Sequence, residues 1–232
     1  QWGWGHEVPQ YFDSNKITVE NHALGGTSSR TFYKQLWPAV KKGIRKGDYV
    51  IIELGHNDNG PFDSGRARAS IRGISPTDSL VVTIKETGRQ DTVYSYGEYL
   101  RRFVKECKAL GAQPVLLSLT PRNAWDEKNP GHIVRVNETF GLWARQVAEE
   151  QDIPFVDLND WTAKRFECFS AWKVNYHFYL DKIHTSLFGA ALNARSAAEG
   201  LAASTHPALK GLQDCLINLE LPTASVKREE GK

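Results

Sequence analysis

The sequence predicts an α/β domain in which a parallel sheet carries helices on both faces. Short apolar segments alternate along the chain with segments of helical character. Residues 49–54 form a mainly apolar run, which is typical of a parallel strand buried on both faces. Two further β-forming segments flank a turn at 86–90, which predicts a β-hairpin inserted into the α/β pattern.

The first half of the chain contains the glycines and prolines that separate these elements. Pro38 predicts a break in a helix, because proline is tolerated in the first helical turn and not in the interior. Gly47 and Asp48 form a turn into the apolar strand. The predicted order is a strand at 17–21, a glycine loop at 23–29, a helix at 30–44, a strand at 49–54, a long polar loop at 61–78 and hairpin strands at 80–84 and 92–94.

Capping residues define the second half. Ser95 and Glu98 have the spacing of a capping box, and Gly111 predicts the end of the helix that follows. Asn137 and Ser186 are predicted N-caps of two later helices. The predicted order is a helix at 96–110, a strand at 114–119, a loop at 120–135, a helix at 138–151, a strand at 153–158, a helix at 161–169 and a helix at 187–203. We expect one domain over residues 1–221 and a disordered polar tail at 222–232.

Composition excludes several classes of protein. The 232 residues include 29 Lys and Arg against 27 Asp and Glu, so a net charge of +2 gives no reason to expect a nucleic-acid partner. No apolar run approaches the roughly 18 residues of a transmembrane helix, so no membrane partner is expected. The 3 cysteines are too few and too widely spaced for a disulfide framework. The 7 histidines form no close ligand pair, so we expect neither a metal nor another cofactor.

Asp181 and His184 are the first candidates for chemistry. They are three residues apart on a loop that enters a helix. In that position the carboxylate can hold one imidazole nitrogen, which fixes the tautomer and raises the basicity of the other nitrogen. The alternative is a structural aspartate near a helix N-terminus with an unrelated surface histidine.

Two further candidates lie on loops that follow predicted strands. Asn57, which follows the strand at 49–54, can point its amide into a site as an oxyanion donor. The backbone N–H of Gly26 can act as a second donor, because glycine permits close approach of a ligand. The alternative is that both residues belong to ordinary polar turns. Because the ends of parallel strands share one edge, we expect these loops and the Asp181 loop to converge.

Three segments, taken in order, resemble the SGNH or GDSL-type hydrolases. They are ALGGTSSR at 23–30, IIELGHND at 51–58 and DKIHTS at 181–186. The resemblance is to the rhamnogalacturonan acetylesterase-like carbohydrate esterases in particular, and it extends from Trp2 to about Gly200. It implies a flavodoxin-like three-layer α/β/α domain that removes acetyl groups from sugars. It also implies that Gly26 and Asn57 are oxyanion donors, that His184 is the general base and that Asp181 orients it.

The resemblance further implies a nucleophilic serine in a Gly-Asp-Ser motif at the end of a first strand. That motif would precede a segment similar to WGWGH at 2–6, but the chain starts at Gln1 and contains no Met. We therefore expect the strand and its serine to lie upstream of Gln1, removed, omitted or supplied by another chain. Ser28, Ser29 and Ser118 are poor substitutes, because no Gly-x-Ser-x-Gly elbow surrounds them.

Arg122, Asn123 and Trp125 are candidates for substrate binding on the loop after the strand at 114–119. Arginine can pair with a uronate carboxylate, and tryptophan can stack on a sugar ring. Arg30, after the glycine loop, is a candidate for the same role as Arg122. The alternative is a solvated loop anchored by one buried tryptophan.

The expected function is therefore that of a carbohydrate O-acetylesterase acting on a rhamnogalacturonan-like pectic polysaccharide. Its partner would be an acetylated glycan and its location secreted or periplasmic, since such glycans lie outside cells. The alternative is a non-catalytic or split module that binds acylated glycans. A lipase is less favoured, because the long loops are rich in Arg, Asn and Gly and offer no apolar lid.

Overall fold

Two sheets form in residues 1–219, the part of the chain that the computed structural model describes. The strands are β1 (Tyr49–Ile52), β2 (Ser79–Thr83), β3 (Gln90–Tyr94), β4 (Gln113–Leu117) and β5 (Phe155–Val156). Strands β1, β4 and β5 make a parallel sheet in the order β1-β4-β5, whereas β2 and β3 pair as a separate antiparallel hairpin. The predicted α/β class and the inserted hairpin are confirmed.

Helices surround the parallel sheet. In the described residues they are α1 (Ser29–Thr31), α2 (Trp37–Gly43), α3 (Tyr96–Ala109), α4 (Phe140–Glu150), α5 (Leu158–Glu167), α6 (Ala171–Val174), α7 (Leu187–Ala203) and α8 (Lys210–Gln213). A π-helical turn joins α1 to α2, and short 3₁₀ turns lie at Trp4–His6, Val8–Tyr11, Asn175–His177 and Pro207–Leu209. No helix in residues 1–219 combines the length and apolarity needed to cross a bilayer.

The alternation of side chains along β4 produces the layers. Leu116 packs on one face with side chains of α3 and α4. Its neighbours Val115 and Leu117 pack on the other face with side chains of α7. Because successive residues of a strand point to opposite faces, the apolar residues of β4 after Gln113 are buried on both sides. This gives the predicted three-layer arrangement.

The predicted helices at 96–110 and 187–203 hold within one residue, whereas the helix predicted at 161–169 begins earlier, at Leu158, and the one at 30–44 is interrupted by a π-helical turn. The Ser95 side chain accepts a hydrogen bond from the Glu98 N–H at 3.0 Å, which starts α3. Gly111, with φ of +77°, ends that helix. The predicted cap at Asn137 is wrong. The residues before α4 form a turn in which the Thr139 N–H donates to the Val136 carbonyl oxygen. The helix therefore begins at Phe140, two residues later than an Asn137 cap requires.

The predicted strand at 17–21 is also wrong. These residues form no ladder within the described chain, because no described strand lies alongside them to accept their hydrogen bonds. Ile17 and Val19 instead pack against the apolar cluster on the α7 face of the sheet. The β-branched pattern is therefore used for packing and not for pairing. The predicted tail at 222–232 and the predicted domain end at 221 lie outside the described residues.

Candidate active site

Asp181 and His184 lie at the tip of a short antiparallel hairpin just before α7. Phe178 and Thr185 form its β-bridge. The Tyr179 N–H donates to the His184 carbonyl oxygen at 2.8 Å, and the Ser186 N–H donates to the His177 carbonyl oxygen at 3.0 Å. The Ser186 side chain then caps α7 by accepting from the Gly189 N–H. This local structure holds the two residues of the Asp-x-x-His motif in one turn.

The two side chains form a direct pair. Asp181 Oδ2 lies 2.6 Å from His184 Nδ1, and Asp181 Oδ1 accepts the backbone N–H groups of Ile183 and His184, each at 2.7 Å. These hydrogen bonds lower the pKa of Asp181 to about 2, so it is a carboxylate at neutral pH. With Nδ1–H donated to the carboxylate, Nε2 is the free basic nitrogen. Nε2 has no hydrogen-bond partner in residues 1–219, and the histidine side chain is 51% exposed.

Gly26 and Asn57, the predicted oxyanion donors, lie next to each other. Asn57 Nδ2 donates one hydrogen to the Thr27 carbonyl oxygen at 2.9 Å, which leaves its second amide hydrogen available. The Gly26 N–H has no acceptor in the described part of the chain. Gly26 has φ of +84°, and a Cβ built there would lie 2.8 Å from an Arg66 guanidinium nitrogen. The position therefore requires glycine, and two N–H donors remain free beside it.

A buried aspartate that sequence analysis did not assign holds these two loops together. Asp58 is fully buried and accepts the N–H and O–H of Ser29 and the O–H of Ser70. Burial raises the pKa of Asp58, and the hydrogen bonds from Ser29 and Ser70 oppose that rise. Its signal in the sequence is its position, directly after Asn57 on the loop that follows a buried strand.

Glu53 and His56 lie after β1 and contact the loop that follows β4. Glu53 accepts the indole N–H of Trp4 at 2.9 Å and the N–H of Thr120 at 3.1 Å. His56 Nε2 lies 3.6 Å from Glu53 Oε1. Burial lowers the pKa of His56, the Glu53 carboxylate opposes this, and the positive charges of Arg122 and His184 lower it further. His56 therefore lies within the electrostatic range of both Arg122 and His184.

The loop after β4 contributes unequally to the site. Arg122 is exposed and lies beside the hairpin tip, since the next residue, Asn123, donates its N–H to the Lys182 carbonyl oxygen at 2.9 Å. The Asn123 side chain is buried, with its amide donated to Asn175 at 2.7 Å. The structure thus gives Asn123 a positioning role. Trp125 donates to Asn123 Oδ1 at 3.1 Å and packs against a buried cluster, although one side borders a surface cavity of about 500 Å³.

Arg30 is not brought to the site. Its side chain is 1% exposed, and it donates to the Asp91 carboxylate and to the carbonyl oxygens of Phe62 and Ala69. These bonds occupy the guanidinium inside the protein and tie α1 to the hairpin strand β3. The predicted substrate contact of Arg30 is therefore replaced by a structural one.

Metal-binding residues do not gather anywhere in the part of the chain that the structure describes. There, no group of three or more His, Cys, Asp or Glu side chains is arranged to hold a metal ion. Cys107, Cys168 and Cys215 are unpaired thiols. Burial raises the pKa of the Cys107 thiol to about 12, which keeps it protonated and unreactive at neutral pH.

An exposed imidazole paired with a carboxylate, together with unused N–H donors on the loops of Gly26 and Asn57, fits an acyl-transfer hydrolase. Residues 2–192 match the GDSL-like Lipase/Acylhydrolase family, and the chain belongs to this family. The resemblance to SGNH hydrolases and the class of carboxylic ester hydrolase are therefore confirmed. The position of the nucleophile upstream of Gln1 stays a prediction.

Two relatives carry names that specify a substrate. The rhamnogalacturonan acetylesterase of Emericella nidulans is 29% identical over 193 residues, which cover 83% of this chain and 75% of that protein. The rhamnogalacturonan acetylesterase RhgT of Bacillus subtilis is 28% identical over 236 residues, which cover 94% of this chain and 86% of that protein.

Two solved structures share the fold. The protein YxiM of Bacillus subtilis superposes with a TM-score of 0.70 at 25% identity, covering 87% of this chain. The chain spans only 50% of the YxiM chain. A variant of Axe2, an acetyl xylan esterase from Geobacillus stearothermophilus, gives a TM-score of 0.51 at 22% identity over 79% of this chain and 72% of that chain, a likeness of fold alone.

Proposed function

We propose that this chain is the core of a carbohydrate O-acetylesterase that removes acetyl groups from a rhamnogalacturonan-like pectic polysaccharide. The observation that carries the proposal is the 2.6 Å pair of Asp181 and His184, which leaves Nε2 of a half-exposed histidine without a partner in residues 1–219. The charge of His184 acts on His56, the residue before Asn57, and the loops of Gly26 and Asn57 carry unused N–H donors. The names of the two relatives support the sugar and the acetyl group.

Each residue then has one task in a Ser-His-Asp mechanism. A serine hydroxyl attacks the acetyl carbonyl while His184 Nε2 takes its proton, and Asp181 stabilises the imidazolium that forms. The Gly26 N–H and the second Asn57 amide hydrogen bind the oxyanion. His184 donates the proton to the departing sugar hydroxyl and then activates the water that hydrolyses the acyl-enzyme.

We further propose that the serine comes from a strand that pairs with the outer edge of β1. Residues Tyr49–Ile52 are an apolar run of the kind found inside parallel sheets, although β1 is the edge strand of the described sheet. The carboxyl end of a parallel strand added there would lie at the same end of the sheet as that of β1, next to the loop that carries Asn57. That position supports a nucleophile within reach of His184.

The test is acetate release from acetylated rhamnogalacturonan by the protein expressed from its complete reading frame. His184→Ala is expected to lower kcat by about 10²–10⁴-fold, because a general base is lost. His22→Ala is the matched control, since His22 is also exposed and lies 3.1 Å from a carboxylate, that of Glu20. Equal rates for His184→Ala and the native protein would contradict the proposal.

Assays of the 232-residue chain alone and of the protein expressed from its complete reading frame distinguish this proposal from the alternative, a non-catalytic or split module. The chain alone is expected to release no nitrophenol from p-nitrophenyl acetate above a heat-treated control, and to gain activity when the upstream segment is present. Full activity of the chain alone would show that the nucleophile lies within it. Inactivity of both forms, with binding of acetylated glycan retained, would favour the binding module.

The substrate class also supports a location outside the cytoplasm, secreted or periplasmic. Cell fractionation with an antibody against the protein tests this, and recovery only in the cytoplasmic fraction would contradict it.

A further inference from the structure

The hairpin that carries His184 places an aromatic residue directly opposite it. Phe178 is bridged to Thr185, so the next pair along the antiparallel register is Tyr179 with His184. Side chains of directly opposed residues leave the same face, with Cβ atoms about 4.5–5.5 Å apart. The Tyr179 side chain is not buried, because the residue is 57% exposed. Tyr179 therefore leaves the same face of the hairpin as His184.

A second aromatic residue lies on the other edge of the same segment. The Trp2 N–H donates to the Thr185 carbonyl oxygen at 3.1 Å, and the Thr185 hydroxyl donates to the Trp2 carbonyl oxygen at 2.6 Å. Successive carbonyls of an extended segment point to opposite sides, so Trp2 and Tyr179 flank the His184 segment from opposite edges. Trp2 is 49% exposed, and its ring meets His6 edge-on.

Two cations face the same region. Arg122 and Lys182 are both exposed, and they lie close together because the Asn123 N–H donates to the Lys182 carbonyl oxygen. Within residues 1–219, neither side chain is paired with a carboxylate. The nearby Asp181 carboxylate is already engaged by His184. The hairpin that carries the free imidazole is therefore flanked by aromatic and positively charged residues.

We propose that Trp2 and Tyr179 are the walls of a sugar-binding cleft centred on His184. The rings of an acidic glycan on either side of the acetylated residue stack on these two side chains, and uronate carboxylates face Arg122 and Lys182. Aromatic faces suit the C–H surfaces of pyranose rings, and exposed cations without partners suit carboxylates. This inference rests on the proposed function. It adds the contacts through which the site would bind a polymeric acidic substrate more tightly than a small ester.

The test compares two substrates, acetylated rhamnogalacturonan oligosaccharides and p-nitrophenyl acetate, with the protein expressed from its complete reading frame. Trp2→Ala and Tyr179→Ala are expected to raise KM for the oligosaccharide by about 3- to 10-fold more than KM for the small ester, because an aromatic contact is lost. Tyr179→Phe keeps the ring and is expected to restore the native KM. Trp172→Ala, at an exposed tryptophan whose ring contacts are with Tyr176 and Lys173, is the control and should change neither.

A separate experiment tests the contribution of the positive charge of Arg122. Arg122→Ala is expected to raise KM for the acidic oligosaccharide and to leave it little affected by added salt, whereas the native KM should rise with salt. Acetylated xylo-oligosaccharides, which carry no carboxylate, serve as the neutral probe and should show neither effect.

The possible results distinguish the sugar-binding cleft from the esterase activity on which it depends. If the native protein hydrolyses neither substrate, the proposed function fails. If it hydrolyses both and the two alanine variants keep the native KM for the oligosaccharide, the cleft is overturned while the esterase stands. Equal losses on both substrates would also overturn the cleft, because they would mean that the aromatic rings only support His184.

Discussion

Asp58 and Asp181 lie in opposite halves of the site, and their surroundings shift their pKa values in opposite directions. Asp58, on the loop after β1, is completely buried against Ser29 and Ser70, and this burial raises its pKa. Asp181 is at an exposed hairpin tip, where hydrogen bonds from His184 and Ile183 lower its pKa to about 2. Asp58 is held by buried residues that are distant in the sequence, whereas Asp181 is held by hydrogen bonds within residues 181–184.

The difference matches the tasks proposed for the two halves. Oxyanion donors stabilise a transition state only if they are in place before the reaction, so the loops of Gly26 and Asn57 need a rigid connection. Asp58 supplies it through Ser29 and Ser70. The base must exchange protons with a leaving group and with water, so it needs an exposed position. A local Asp–His pair keeps its orientation there without being buried.

The largest expected effect is the loss of kcat in Asp181→Asn. The amide oxygen can still accept the backbone N–H groups of Ile183 and His184, so the hairpin should persist. Its NH₂ would face His184 Nδ1 and select the wrong tautomer, which is expected to lower kcat on the order of 10⁴-fold. Measured kcat and a urea unfolding curve check both statements, with Asp126→Asn as control because Asp126 also accepts a local N–H, that of Lys128. A variant with near-native kcat would show that Asp181 does not orient the base.

Asp58→Ala is expected to act on stability. It leaves the Ser29 and Ser70 donors buried without an acceptor, and such groups cost about 1–3 kcal/mol each, so the loss should be about 3 kcal/mol. Asp58→Asn keeps an acceptor oxygen and should lose less. Urea unfolding at pH 7 measures both. Equal losses would mean that the shape of the side chain matters and not its hydrogen bonds.

Local features of the site could be predicted from the sequence, and distant ones could not. Asp181 and His184 are three residues apart, so their pairing depends on a single turn that the spacing already defines. The partner of Arg30, Asp91, is 61 residues away, and the ion pair exists only because the inserted hairpin folds back onto α1. The residues around Arg30 give no sign of this distant partner, so the burial of Arg30 could not be predicted from them.

The same limit explains the two wrong elements. The run at 17–21 has strand-forming residues, yet a strand is defined by a neighbour, and neighbours are set by topology. Asn137 is a good cap by type, but the turn on Val136 places the start of α4 beyond it. Ser95 was predicted correctly because its partner, the Glu98 N–H, is in the same helical turn.

The smallest expected effect is on acid stability, and it tests the opposite pKa shifts directly. The folded pKa of Asp181, about 2, is below its ordinary value of 3.8, so its contribution to stability is present above about pH 3.8 and is lost as pH falls towards 2. The stability difference between the native protein and Asp181→Asn should therefore be greatest above pH 4 and shrink towards pH 2, while remaining small because the pair is exposed. Asp58 has a raised pKa, so its ionised form is the destabilised one, and Asp58→Asn should come closer to native stability as pH rises. Urea midpoints between pH 2 and pH 7 measure both slopes. Parallel pH curves for the native protein and Asp181→Asn would mean that the pair with His184 contributes nothing to folding.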